Sequence, residues 1–231
     1  MPSDDKIKKI DDFLSRISKE RIPNTIRLCR GQPEDKKLLP RLFRHGDPKR
    51  VTDIESKLLY RFKTRCPYLL PSQPNNEWDW LSLGQHFGLP TRLLDWTANP
   101  ASALFFALDS DKVISPTVFI YHAYRAQIVE ADAKKELNLF NLKETKIFRP
   151  VAHSTRVAMQ AGWHTAHRIH AGKFVALDEM KDHLKHLAKI SIEPSAVGNL
   201  REELGDMGVR HETIYGDLHN VCVAIAREFG L

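Results

Sequence analysis

Cysteine is scarce in this sequence and long apolar runs are missing, and each shortage removes a class of protein. Cys29, Cys66 and Cys222 are odd in number, far apart and show no CxxC spacing. That argues against a disulfide framework and against a zinc ribbon, and leaves free thiols. No stretch approaches the roughly 18 to 20 uncharged apolar residues that a spanning helix requires. The first residues, MPSDDKIKKIDDF, are charged where a signal peptide needs an apolar core. The expectation is a cytoplasmic protein without a membrane partner. Gly/Ser linkers, low-complexity tracts and internal repeats are missing too, so nothing divides the 231 residues, whose 42% hydrophobic content can bury one core.

Charge is unevenly placed. The net charge is +6, yet residues 1–65 hold 18 Lys and Arg against 10 Asp and Glu, and the remainder holds 17 against 19. A basic surface concentrates anions, which suits a nucleic acid or a phosphate-bearing ligand. A basic face serving solubility alone accounts for the same count.

Periodicity places Ile7, Ile10, Phe13, Leu14 and Ile17 on one stripe of an N-terminal amphipathic helix, within a segment 1–24 that belongs to the same unit as the rest. A strand is expected over Thr25–Cys29, ended by Gly31 and Pro33 so that Arg30 stands at its exit. A second helix begins near Thr52, with Glu55 completing a capping box, and a third covers Glu77–Phe87 with Gly88 as its terminator. A helix restarts after Asn99-Pro100, and strands are expected at Thr117–Tyr121, Arg156–Met159 and Lys189–Ile192. Glu130–Leu139, Ser195–Leu204 and Asp217–Phe229 read as helices. Strands interspersed with helices predict a mixed α/β or α+β layer fold.

Gly84–Ala107, GQHFGLPTRLLDWTANPASALFFA, crowds Gln, His, Thr, Arg, Asp and Trp among short apolar pieces. Gln85 and His86 sit at a helix end, Thr91–Thr97 forms an extended crossing and a helix follows, so these side chains can converge on one cleft. A structural reading stands beside this one: Arg92 paired with Asp95, Trp96 plugging the core, Thr97 or Asn99 capping the helix. Arg30 has two readings as well, bidentate binding of a diphosphate or carboxylate and pairing with an acidic neighbour. His164, His167 and His170 are spaced by three, but such spacing on an extended segment sends them to opposite faces, and no metal site is expected.

Cys29-Arg30-Gly31-Gln32, Leu42-Phe43-Arg44, the run Gln85–Thr97, Asn99-Pro100, Ala103–Ala107 and Gln160-Ala161-Gly162 resemble the FRG-domain family, with the resemblance running over roughly residues 25–228 and one domain assigned to 25–231. Cys29 departs from it, standing where the family has Phe or Tyr. The order of elements is similar to that of ADP-ribosyltransferases, which implies a split mixed β-sheet flanked by helices and NAD as co-substrate. In that layout Arg30 anchors the NAD phosphates, Thr91 supports the nicotinamide ribose and Gln160 orients ribose and acceptor. Gly31, Gln32, Gln85, His86, Arg92, Asp95, Trp96 and Thr97 complete the binding set. The resemblance implies an NAD-dependent ADP-ribosyltransferase, a toxin or phage-defence effector acting on a macromolecule, with DNA or RNA favoured by the basic N-terminal third and an antitoxin or regulatory partner to restrain it. An NAD glycohydrolase and a non-catalytic nucleotide-binding module are the rivals. Glutamine cannot act as a base, so if the reaction requires one, Asp95, Glu144 or His86 would have to supply it, or the acceptor must already be nucleophilic.

Overall fold

The computed structural model describes residues 6–45, 47–151, 159–169 and 172–230. The expected strand at Arg156–Met159 falls largely outside these residues.

Helix α1 spans Ile10–Lys19, with Asp11 and Asp12 in its first turn and Arg16 and Lys19 in its last, each sign matching the helix dipole. Phe13 and Ile17 are buried, whereas Leu14 is exposed. Ile7 lies before the helix and forms a parallel bridge with Ile192, so the N-terminal segment is tied to the far edge of the sheet.

Among the described residues, six strands form one sheet in the order β4-β5-β2-β1-β3-β6. They are β1 (Thr25–Gln32), β2 (Leu93–Thr97), β3 (Thr117–Tyr124), β4 (Lys146–Phe148), β5 (Gly162–Ala166) and β6 (Leu187–Ser191). Every strand pair is antiparallel, so the expected mixed sheet is corrected to an antiparallel one, parallel pairing being confined to two isolated bridges. Eight residue pairs join β1 to β3, but one alone, Cys29 with Thr97, joins β1 to β2. The sheet therefore has a weak seam at its centre.

Contrary to expectation, β1 does not stop at Cys29. Arg30, Gly31 and Gln32 continue the ladder opposite Phe119, Val118 and Thr117. Gly31 is there because helix α5 (Pro100–Leu108) crosses so close that a Cβ would stand 1.8 Å from the Ala103 carbonyl oxygen. The Asn99 side chain caps α5 by accepting from the Ala101 N–H, and Pro100 occupies the first turn, where no backbone donor is needed.

Alternation sorts the side chains onto two faces. On one, Cys29, Val118 and Ile120 pack against Ala103, Leu104 and Ala107 of α5. On the same face, Leu93, Phe148 and Ala166 pack against Trp78 and Leu81 of α4 (Glu77–His86) and Leu59 of α3 (Val51–Arg65). The opposite face buries Leu28, Leu94, Trp96, Phe119 and Tyr121 under Leu38, Leu177 and Met180.

Two local expectations are corrected here. Helix α3 begins at Val51 without a side-chain cap, and Glu55 turns inward to meet Arg92 instead of capping. The helix expected over Glu130–Leu139 shrinks to Ala133–Glu136 with a short 3-10 turn at Leu139–Asn141.

Candidate functional site

A cavity of about 360 Å³ opens where β1 and β2 part. Its volume lies in the roughly 300 to 1,000 Å³ range of small-molecule sites. The strands supply Cys29, Arg30 and Gly31 from β1, Asp95, Trp96 and Thr97 from β2, and Gly162, Trp163 and His164 from β5. Ser82, Gln85 and His86 come from the last turns of α4, Phe106 from α5, and Pro150 and Gln160 from the connections.

Arg30 points across the seam. Its Nη1 donates to the Asp95 backbone carbonyl at 2.8 Å and its Nε to Gln32 Oε1 at 3.4 Å. Gln32 is itself buried and held by its amide donating to the Lys36 carbonyl at 2.7 Å. Burial pulls the guanidinium below its ordinary value, Asp95 opposes that shift and Arg44 adds to it. Arg30 remains a cation, since arginine keeps its proton throughout the accessible range.

Asp95 projects at the mouth, its side chain 64% exposed. Although the side chain reaches solvent, loss of water to the neighbouring protein pushes its pKa up, but contact with His164, the charges of His164 and Arg30 and the amide of Gln85 outweigh this and hold it down at about 2. The carboxylate is thus ionised at any physiological pH. Gln85 bridges: its amide donates to Asp95 Oδ1 and its carbonyl oxygen accepts from Thr91 Oγ1.

Behind Asp95 lies His164. The two are directly opposed in the β2–β5 register, which places both side chains on one face. His164 Nδ1 is 3.2 Å from Asp95 Oδ1, within ion-pair range although off the angle of a good hydrogen bond, and Nε2 is 2.8 Å from Ser82 Oγ. Ser82 and Gln85 stand three residues apart on α4, so one face of that helix touches both members of the pair. The Phe148 ring supports the imidazole from below at 5.2 Å.

Of the residues singled out from sequence, Arg30, Gly31, Gln85, His86, Asp95, Trp96, Thr97 and Gln160 line the cavity; Gln32, Thr91 and Arg92 do not. Thr91 is buried beneath, donating to Gln85 and accepting from the Leu93 N–H at 3.1 Å, which fixes the crossing. Arg92 is fully buried in a bidentate contact with Glu55, through its backbone N–H at 2.8 Å and its Nε at 2.5 Å, and not with Asp95. Burial pushes Glu55 up, against the pull of Arg92. Glu144 is exposed and pairs with half-buried Lys146, away from the cavity.

Gln160 carries an Nε2 that is buried without a hydrogen-bond partner. Its backbone carbonyl accepts from Thr97 Oγ1 at 2.6 Å, and the next residue, Ala161, has a φ of 44°, a left-handed conformation that costs a non-glycine residue energy. Sequence reasoning missed Ser82, Trp163 and His164. No local signal marks them; His164 gains its place from the register that sets it opposite Asp95.

Two further histidines, His167 and His183, are architectural. His167 Nε2 is 3.1 Å from Thr165 Oγ1 and burial pulls its pKa down to about 3, with His183, Arg30 and Arg92 adding to the shift. His183 Nδ1 lies 2.6 Å from the Tyr121 hydroxyl. Among the described residues, no group of three His, Cys, Asp or Glu is placed to hold a metal ion. No helix among them is long and apolar enough to cross a membrane. Cys29, at the cavity wall, is pushed up to about 12 by burial, with Arg27 opposing, so its thiol stays protonated and poorly nucleophilic.

The family comparison matches residues 27–114 to the FRG domain. That segment contains most of β1, helices α2 (Arg41–His45) to α5 and β2, while β3 to β6 lie beyond it. Neither the curated proteins nor the solved structures gave a match.

Proposed function

We propose that this chain, which carries an FRG domain over residues 27–114, is an NAD-dependent ADP-ribosyltransferase that uses the seam cavity as its NAD site. What supports the reading most is the meeting, in one cavity, of a cation, a permanently ionised carboxylate and an unsatisfied amide: Arg30, Asp95 and Gln160. Breaking the bond between ribose and nicotinamide leaves an oxocarbenium-like sugar, whose positive charge a preorganised carboxylate stabilises. Asp95 serves there. Its low proton affinity suits a group that must stay charged and suits a strong base poorly.

Arg30 holds the diphosphate, and the Gln32 contact and the bond to the Asp95 carbonyl preorganise its planar group. Gln160 satisfies its buried amide on the ribose or nicotinamide. Trp163 and Phe106 offer aromatic walls to the bases. Thr91 acts one step removed, through Gln85, rather than by touching the ribose. The nicotinamide leaves with the electron pair of the broken bond, and the acceptor attacks C1 of the ribose and loses a proton.

The acceptor enters at the mouth, where Asp95 is exposed and Arg44 lies near enough to bear on Arg30. With 18 basic residues among the first 65, a nucleic acid is favoured over a protein as acceptor. Uncontrolled use of NAD would make such an enzyme a toxin or phage-defence effector, held in check by a neutralising partner.

The test is incubation with NAD labelled in its adenylate half together with a cell extract, followed by separation of protein, RNA and DNA. Label in one macromolecular fraction, absent with Arg30→Ala, is the expected result. Nicotinamide release without macromolecular label would mark a glycohydrolase. Neither product would leave the cavity as a binding site and refute the reading.

A further inference from the structure

Ser82, His164 and Asp95 form a chain of contacts that the transfer reaction, as described, does not require. Ser82 Oγ is 2.8 Å from His164 Nε2, and Nδ1 of the same ring is 3.2 Å from Asp95 Oδ1. Serine and histidine are each more than nine-tenths buried, yet all three residues line the cavity. Two lone pairs facing each other between Nδ1 and a carboxylate would repel, so the ring proton belongs on Nδ1 and Nε2 is left to accept the serine proton. Ser82 Oγ against Nε2, with the Asp95 carboxylate within ion-pair range of Nδ1 though off hydrogen-bond angle, brings together the three groups that activate a hydroxyl for nucleophilic attack.

We propose that Ser82 is an activated nucleophile and, resting on the NAD reading above, that it becomes ADP-ribosylated by the protein's own cavity when no external acceptor is present. The surroundings select the electrophile. An acyl group would develop negative charge and need free N–H donors, but Ser82 lies in the middle of α4, where backbone N–H groups are spent on the helix. The charged group beside the serine and histidine is instead the Asp95 carboxylate, which favours a centre that develops positive charge, such as C1 of a ribose.

The step balances. A bond forms between Ser82 Oγ and ribose C1 while the bond from C1 to the nicotinamide nitrogen breaks, its electron pair leaving with neutral nicotinamide. The hydroxyl proton passes to His164 Nε2, and the imidazolium is balanced by Asp95. The product is an O-glycosidic ADP-ribosyl serine inside the cavity, which blocks the next NAD molecule. Self-modification therefore limits turnover.

The experiment incubates the full chain with NAD alone, then maps modified peptides by mass spectrometry while nicotinamide is measured in parallel. The expected result is one ADP-ribose on Ser82, lost in Ser82→Ala and reduced at least 10-fold in Asp95→Asn, whose exposed position keeps folding out of the comparison. In His164→Ala, added imidazole restores modification, which a merely structural role for the ring would not allow. Nicotinamide release, or label on an added extract, with Ser82 unmodified would overturn this proposal and leave the NAD reading standing. Absence of both nicotinamide and adduct would overturn the two together.

Discussion

At the scale of single residues, the site depends on close approaches that leave no slack. Gly31 lets α5 lie on β1, and a methyl group there would overlap the Ala103 carbonyl and stand 2.5 Å from the Ala107 nitrogen. Gly31→Ala must push the helix away or bend the strand, at an overpacking cost of about 1–3 kcal/mol or more. Thermal unfolding should show a fall of at least several degrees, since about 1 kcal/mol corresponds to roughly 2–4 °C at this chain length. An unchanged midpoint would mean that the helix does not approach as described. Some of these residues were legible in the sequence: Arg30, Gln85, Asp95 and Trp96 stand out as polar or bulky groups in short motifs. Ser82 and His164 were not, because each is ordinary in its own element. Their meaning arises from a register that pairs Asp95 with a residue 69 positions later.

At the scale of elements, the entrance to β2 is pinned to α3 by Glu55 and Arg92. Both are fully buried, with Arg92 Nη1 also donating to the Leu139 carbonyl at 3.2 Å. Removing one partner strands the other charge in the core, which costs about 3–5 kcal/mol, whereas replacing both by apolar residues of similar volume is far less damaging. Denaturant titration should therefore find Glu55→Ala strongly destabilised and the double replacement Glu55→Leu with Arg92→Met closer to the wild type. Equal losses would contradict an ion-pair role. Here the sequence misled in a definable way: Thr52 and Glu55 have capping-box spacing, and burial of the carboxylate against an arginine 37 residues away overrode that local preference. Strands β4 and β5 escaped notice for another reason. They are three and five residues long and carry His, Thr and Lys, so neither alternation nor apolar content marks them.

At the scale of the whole molecule, acid should be the condition that the fold tolerates least. Burial lowers the pKa of His122, His167 and His183, that of His167 to about 3. A histidine with a lowered folded pKa binds its proton better when unfolded, so stability is fully present above the unfolded value near 6.5 and falls as the pH drops below it. His167 alone contributes up to about 1.4 kcal/mol per pH unit in that window. Calorimetry should show a midpoint that falls steadily from pH 7.5 to 5, with a shallower slope in His167→Gln. A slope unchanged by that substitution would place the acid sensitivity elsewhere. The overall class of fold was legible from strands and helices in alternation. The seam was not, because a break in a sheet is a property of pairing and leaves no mark on composition.

The central claim is that the parting of β1 and β2 makes an NAD site governed by Arg30, and calorimetric titration of NAD into the full chain tests it most directly. The account predicts binding at one site per chain and at least a 10-fold loss of affinity in Arg30→Ala, with an unchanged circular dichroism spectrum. No binding by the wild type, or equal affinity in the variant, would contradict it.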